Sequence, residues 1–225
     1  MYFSYIFIKR LYSIGLLLVI VLFLLDLLAF FYYPKTVFGN IFLATREQTP
    51  LTWISSLALL FIALSSFSVY LQKKQKIWYF LAIIFFFFSM DDAVYLHERI
   101  SGFFVDNTSA LSFFPSYIWT IIYMPMLAFA LGAFVWLIWK DALMNNRKTI
   151  MAALVTLGFA IFLDFLDGFV GKNSGITFCF DQNCNKIVLH LMRLTEEISE
   201  VIALGVLGYV NIKEHCLISR EKISV

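Results

Sequence analysis

Charge is what this chain has least of. Lys, Arg, Asp and Glu make up 14% of its 225 residues, against 61% hydrophobic residues, and the mean hydropathy is +0.84. That balance excludes a water-soluble domain, whose surface needs more polar cover. Only three histidines and three cysteines are present. His97-Glu98 lacks the second histidine of H-E-x-x-H, since Ser101 stands in its place. An H-x3-H pair and a G-x-S-x-G elbow are also missing, so the familiar membrane hydrolase signatures are unmatched. The net charge of +2 does not speak for nucleic acid as a partner. No A-x-A-like site follows the first apolar run, which is also too long for a signal peptide, so we read it as a retained helix.

What the chain has is long apolar runs. Six of them have the length that crosses a hydrocarbon core, about 20 residues each. They cover residues 11–33, 51–71, 77–99, 117–139, 150–170 and 187–210. Each helix satisfies its own backbone polar groups in lipid, so the expected fold is all-α: one polytopic six-helix bundle over residues 1–225, with the lipid bilayer as its partner. Basic residues set an orientation. Lys9, Arg10, Lys73, Lys74, Lys76, Lys140, Arg147, Lys148, Lys213, Arg220 and Lys222 all fall on one side, and they are 11 of the 17 Lys and Arg. That side reads as cytoplasmic, with both termini on it and a bacterial inner membrane as the location. Cys179 and Cys184 then share an outer loop, where a disulfide is permitted; two cysteines without further nearby ligands make a poor zinc site.

The few ionisable residues inside the runs carry the functional argument, because each is costly there. Asp26 lies in the first span. The third carries Asp91 and Asp92, with His97 and Glu98 at its outer end. Continued helix would put Asp91 and Glu98 on one face. The fourth span has no Asp, Glu, Lys, Arg or His, but it contains Pro125. The fifth carries Asp164 and Asp167, three apart and near neighbours on a helix. In the sixth, His190, Arg193, Glu197 and Glu200 follow helical spacing along one stripe, flanked by Glu196. At about 1.5 Å rise per residue, nearly all of these groups map to the outer half of the membrane or its midplane. We infer an outward-facing acidic pocket lined by spans one, three, five and six.

Acids outnumber the one certain cation in this layer, Arg193. Several like charges at close range cannot all stay ionised, so some must hold protons or a cation. Three readings follow. In the first, Asp91, Asp92, His97, Glu98, Asp164, Asp167, His190, Glu197 and Glu200 supply ligands for a divalent metal, or carry protons, in a transport or accessory role. In the second, a metal-bound water attacks a lipid or lipid-linked substrate. In the third, Arg193 pairs with Glu197 or Asp92, and the layer is structural. The string Asp91-Asp92-Ala93-x3-His97-Glu98, with Glu196-Glu197-x2-Glu200 in the last span, resembles a group of small multi-pass bacterial membrane proteins. Those carry a D-E-A-like pair before H-E, where this chain has Asp92. The resemblance implies one recurring acidic site and brings no activity with it.

Overall fold

In the computed structural model, residues 5–43, 49–97, 99–100, 103, 118–140, 146–172, 179 and 181–221 are described. Among them every regular element is a helix: α1 (Tyr5–Tyr32), α2 (Val37–Phe42), α3 (Pro50–Lys73), α4 (Lys76–Val94), α5 (Ile118–Trp139), α6 (Arg147–Lys172) and α7 (Gln182–Glu221). The all-α expectation is met. Four stretches are long and apolar enough to cross a membrane: Tyr12–Tyr32, Pro50–Lys73, Lys76–Val94 and Arg147–Val170. In α5 the corresponding apolar stretch is shorter, Tyr123–Leu137. The 40 residues of α7 reach about 60 Å, but Arg193, Glu196, Glu197 and Glu200 interrupt its apolar run.

Local chemistry explains the helix ends. Thr49 caps α3 by accepting from the Thr52 N–H, and Pro50 occupies the first turn, where its missing N–H costs nothing. Lys74 closes α3 in the left-handed conformation, φ 56°, and Gln75 opens α4 directly. Tyr95 closes α4 in the same way, φ 56°. The third span was expected to run to residue 99; the helix instead ends at Val94. Helical spacing therefore does not carry from Asp91 or Asp92 to Arg99, and Glu98 lies outside the described residues. Asp181 caps α7 by accepting from the Cys184 N–H at 3.0 Å, and Cys179 and Cys184 form the disulfide that the sequence permits. Their Cα atoms are 5.8 Å apart, an ordinary span for that bond.

The outward faces of the helices are apolar, and the buried faces mix apolar with small polar side chains. On α3, Ser55, Ser56, Ser65 and Ser66 are buried, while Trp53, Leu57, Phe61, Leu64 and Phe67 are exposed at helical spacing. That is the reverse of a soluble bundle, and it suits a surface that meets lipid. Serine hydroxyls join α3 to α4: Ser56 donates to the Ser89 carbonyl at 2.8 Å and Ser89 donates to the Ser56 carbonyl at 2.9 Å. Contacts of α3 with α4, α4 with α5, α5 with α6, α6 with α7 and α7 with α3 close a ring. Helix α1 stands outside it, against α7 and α3.

One end of the ring is filled with hydrocarbon. Leu59, Ile62, Trp78, Leu81, Phe134, Leu137, Ile150, Leu157, Leu204 and Leu207 form a single buried cluster there. These residues come from the middle of α3, the Lys76 half of α4, the C-terminal half of α5, the N-terminal half of α6 and the stretch of α7 after Glu200. Every acid discussed below lies towards the other end. The contact of α1 is made possible by small residues. A Cβ on Gly208 would stand 3.0 Å from the Tyr12 hydroxyl and 3.5 Å from Ile62 Cγ1. Gly208→Leu is therefore expected to overpack this seam and cost about 1–3 kcal/mol. Pairing it with Tyr12→Ala should recover part of the loss in detergent unfolding. An additive double variant would count against that contact.

Candidate functional site

The acidic layer is assembled from every helix of the ring. Asp91 is buried on the last turn of α4. Because Tyr95 turns the chain back, His97 folds over that turn instead of continuing outward. Asp91 Oδ1 then accepts from the His97 backbone N–H at 2.8 Å, and Oδ2 lies 2.7 Å from His97 Nδ1. Tyr123 of α5 donates its hydroxyl to Asp91 Oδ1 at 2.8 Å. Three donors thus converge on one carboxylate, and the imidazole is fixed in place. Next to it, Asp92 Oδ2 accepts from the Ser55 hydroxyl of α3 at 2.6 Å.

Two further pairs tie α7 to its neighbours. His190 Nε2 lies 2.6 Å from Asp26 Oδ1 of α1, with both side chains sealed from solvent. Phe30 stacks on the imidazole, ring centroids 3.9 Å apart and planes within 2°. His190 Nδ1 has no hydrogen-bond partner among the described residues. One turn on, Arg193 Nε donates to Asp167 Oδ1 of α6 at 2.9 Å. This is not a partner that the sequence reading named for Arg193, which were Glu197 and Asp92. The sequence stripe on α7 is also not one ligand row. At about 100° per residue, Arg193 stands roughly 60° around the helix from His190. That rotation is enough for His190 to meet α1 while Arg193 meets α6.

What is left is a set of acids facing the ring interior. Glu200 stands within electrostatic reach of Asp92, Glu197 and Asp164. Glu197 feels Asp92, Asp164 and Asp26, and Glu196 feels Asp164, Glu197, Glu200 and Asp167. His97 acts on both Asp92 and Asp164. Asp164 Oδ2 is buried with no hydrogen-bond partner among the described residues. Glu196, Glu197 and Glu200 are half-buried on α7.

The expected metal ligands are brought to one region but not to one point. Asp91 and His97 form one pair, His190 goes with Asp26, and Asp167 goes with Arg193. Among the described residues, no three His, Cys, Asp or Glu side chains converge as a metal-binding group. The reading of the sequence missed Ser55 and Tyr123. Ser55 carries no charge, and the fourth span holds no Asp, Glu, Lys, Arg or His. A tyrosine hydroxyl inside an otherwise apolar span was the available signal, since a buried hydroxyl needs a partner.

No curated protein and no solved structure matches the chain. A family model described as a domain of unknown function, DUF8692, matches residues 11–212. The match runs from Leu11 in α1 to Ile212 in α7, so it takes in α3 to α6 and every acid of the layer, and the chain belongs to this family.

Proposed function

We propose that this is a multi-pass membrane protein whose helix ring holds protons in an acidic chamber open towards one face of the bilayer. One observation carries the reading. Asp92, Asp164, Glu196, Glu197 and Glu200 face one another across α4, α6 and α7, while the cation beside them, Arg193, already serves Asp167. Carboxylates so placed cannot all remain charged; shared protons relieve the repulsion without a compact ligand set. A divalent metal would need at least three of these side chains to converge, and the described residues do not do so. The hydrocarbon cluster at the far end makes the chamber blind. That favours an accessory or sensing role over simple passage, and transport would require Leu204, Leu207 and Ile62 to part.

We read α5 and α7 as the fourth and sixth spans. Support comes from their places in the ring and from α7's charges turning inward to α4 and α6. The uneven distribution of Lys and Arg supports a bacterial cytoplasmic membrane with both termini cytoplasmic. A membrane-impermeant maleimide applied to intact cells tests this. Cys179 and Cys184 should label only after reduction, and Cys216 should stay unlabelled until the cells are permeabilised. Labelling of Cys216 from outside would reverse the orientation.

Infrared spectroscopy of the protein in lipid tests the chamber itself. Protonated carboxyl groups give a C=O band separate from that of carboxylates. At neutral pH the band is expected in the wild type and should shrink by about half in the double variant Glu197→Gln/Glu200→Gln, which removes two of the facing acids. A wild type without such a band would sink the proposal.

A further inference from the structure

The two histidines of the layer are held alike and placed differently. Each is bound to an aspartate, His190 to Asp26 and His97 to Asp91. The His190 side chain is 1% exposed and lies under Phe30, so it does not meet bulk water. The His97 side chain is 19% exposed, at the end of the ring where α4 stops. It also acts on Asp92 and Asp164. It is thus the imidazole placed between water and the chamber.

We propose that His97 is the proton port of the acidic chamber: it passes protons between water at the Tyr95 end of the ring and the carboxylates of Asp92 and Asp164. This rests on the chamber's holding protons. Asp91 and Tyr123 act as positioning residues. With Nδ1 and the backbone N–H both committed to Asp91, the proton that moves is the one on Nε2. In the inward step an O–H bond of hydronium breaks and the Nε2–H bond forms, leaving water and an imidazolium. The Nε2–H bond then breaks as the proton joins a carboxylate oxygen of Asp92 or Asp164, directly or through a water molecule. The imidazole returns to its neutral form with Nδ1–H still on Asp91, and no other reactant is consumed. The groups that face the imidazole set the driving force. Among the described residues they include Asp91 and Asp92 from α4, Tyr123 from α5 and Asp164 from α6. Behind them stand Arg193, Glu196, Glu197 and Glu200 of α7. Imidazole is the side chain whose charge changes near neutral pH, so it can take and return a proton at similar rates.

Hydrogen–deuterium exchange of the carboxyl C=O band tests the port. Wild type and His97→Ala, both in lipid, are moved from H2O to D2O and the band shift is followed in time. The expected result is an unchanged band amplitude with exchange slower in the variant by on the order of 10²-fold, the usual worth of a positioned acid–base group. Free imidazole in the buffer should restore much of the rate. A wild-type rate in His97→Ala overturns the port, and so does a slow rate that imidazole does not raise, since that marks a structural role. If His97→Ala does not fold, His97→Gln with the same imidazole comparison takes its place. Tyr123→Phe leaves the imidazole present and should slow exchange far less than either. A wild type with no carboxyl band removes the chamber, and the port with it. A band with unaltered exchange removes the port alone.

Discussion

Asp26→Ala is expected to cost about 3–5 kcal/mol of stability, the usual loss when one partner of a buried pair is removed. Asp26 and His190 are sealed from solvent and 2.6 Å apart, and Phe30 closes the other side of the ring. Nδ1 of His190 already has no partner among the described residues. Without Asp26, both ring nitrogens would be buried and unsatisfied. The double variant Asp26→Leu/His190→Leu should recover most of the loss, because apolar groups of similar size carry no desolvation penalty. Reversible unfolding in mixed micelles of a denaturing detergent, followed through the five native tryptophans, measures both. A single variant within half a kcal/mol of wild type would show that the pair contributes little. The same double variant also decides whether this pair belongs to the chamber. It should keep the carboxyl band, because Asp26 and His190 are committed to each other between α1 and α7.

Asp91→Ala is expected to be nearly as costly, again about 3–5 kcal/mol. Three donors lose their acceptor together: the His97 N–H, the His97 ring and the Tyr123 hydroxyl. Hydrogen bonds to a charged group are worth about 1.5–3 kcal/mol each. The simple sum is too large here, because His97 is partly exposed and water replaces some of what it loses. The loss should also be local. Backbone amides from Val94 to His97 should lose hydrogen-exchange protection, while Leu81 and Phe85, deeper in α4, should keep theirs. Tyr123→Phe removes one of the three bonds and should cost about 1–2 kcal/mol. In a double-mutant cycle with Asp91→Ala that cost should largely vanish, because the hydroxyl then has nothing left to lose. Strict additivity of the two changes would mean that the Tyr123–Asp91 bond is absent in the folded protein.

Much of the chamber was legible before any coordinates. Asp91, Asp92, Asp164, Asp167, Glu196, Glu197 and Glu200 stand out because an acid inside an apolar run has few harmless explanations. Rise per residue was enough to place them at one depth. The partners were not legible in the same way. Ser55 and Tyr123 are common lipid-compatible residues, and nothing in their own spans marks them as belonging to Asp92 and Asp91. His97 was read at the outer end of a helix continuing to residue 99, and Tyr95 shows why that failed. A single left-handed residue reverses the chain, and the Tyr95 side chain gives no sequence signal for it, unlike the glycine usually found at such a position.

The sequence by itself determined the material of this protein: all-helical, apolar towards its surroundings, with its charge gathered in one layer. Those properties are sums over neighbouring residues, so length, hydropathy and helical rise suffice to read them. Only the tertiary structure decided who meets whom. It joined His190 to Asp26, Arg193 to Asp167 and His97 to Asp91. It also closed five helices into a ring whose far end is filled with hydrocarbon. Periodicity gives the direction in which a side chain leaves its helix, but not which helix stands there. Stripes as broad as that of α7 face two neighbours at once, and that choice is made by packing.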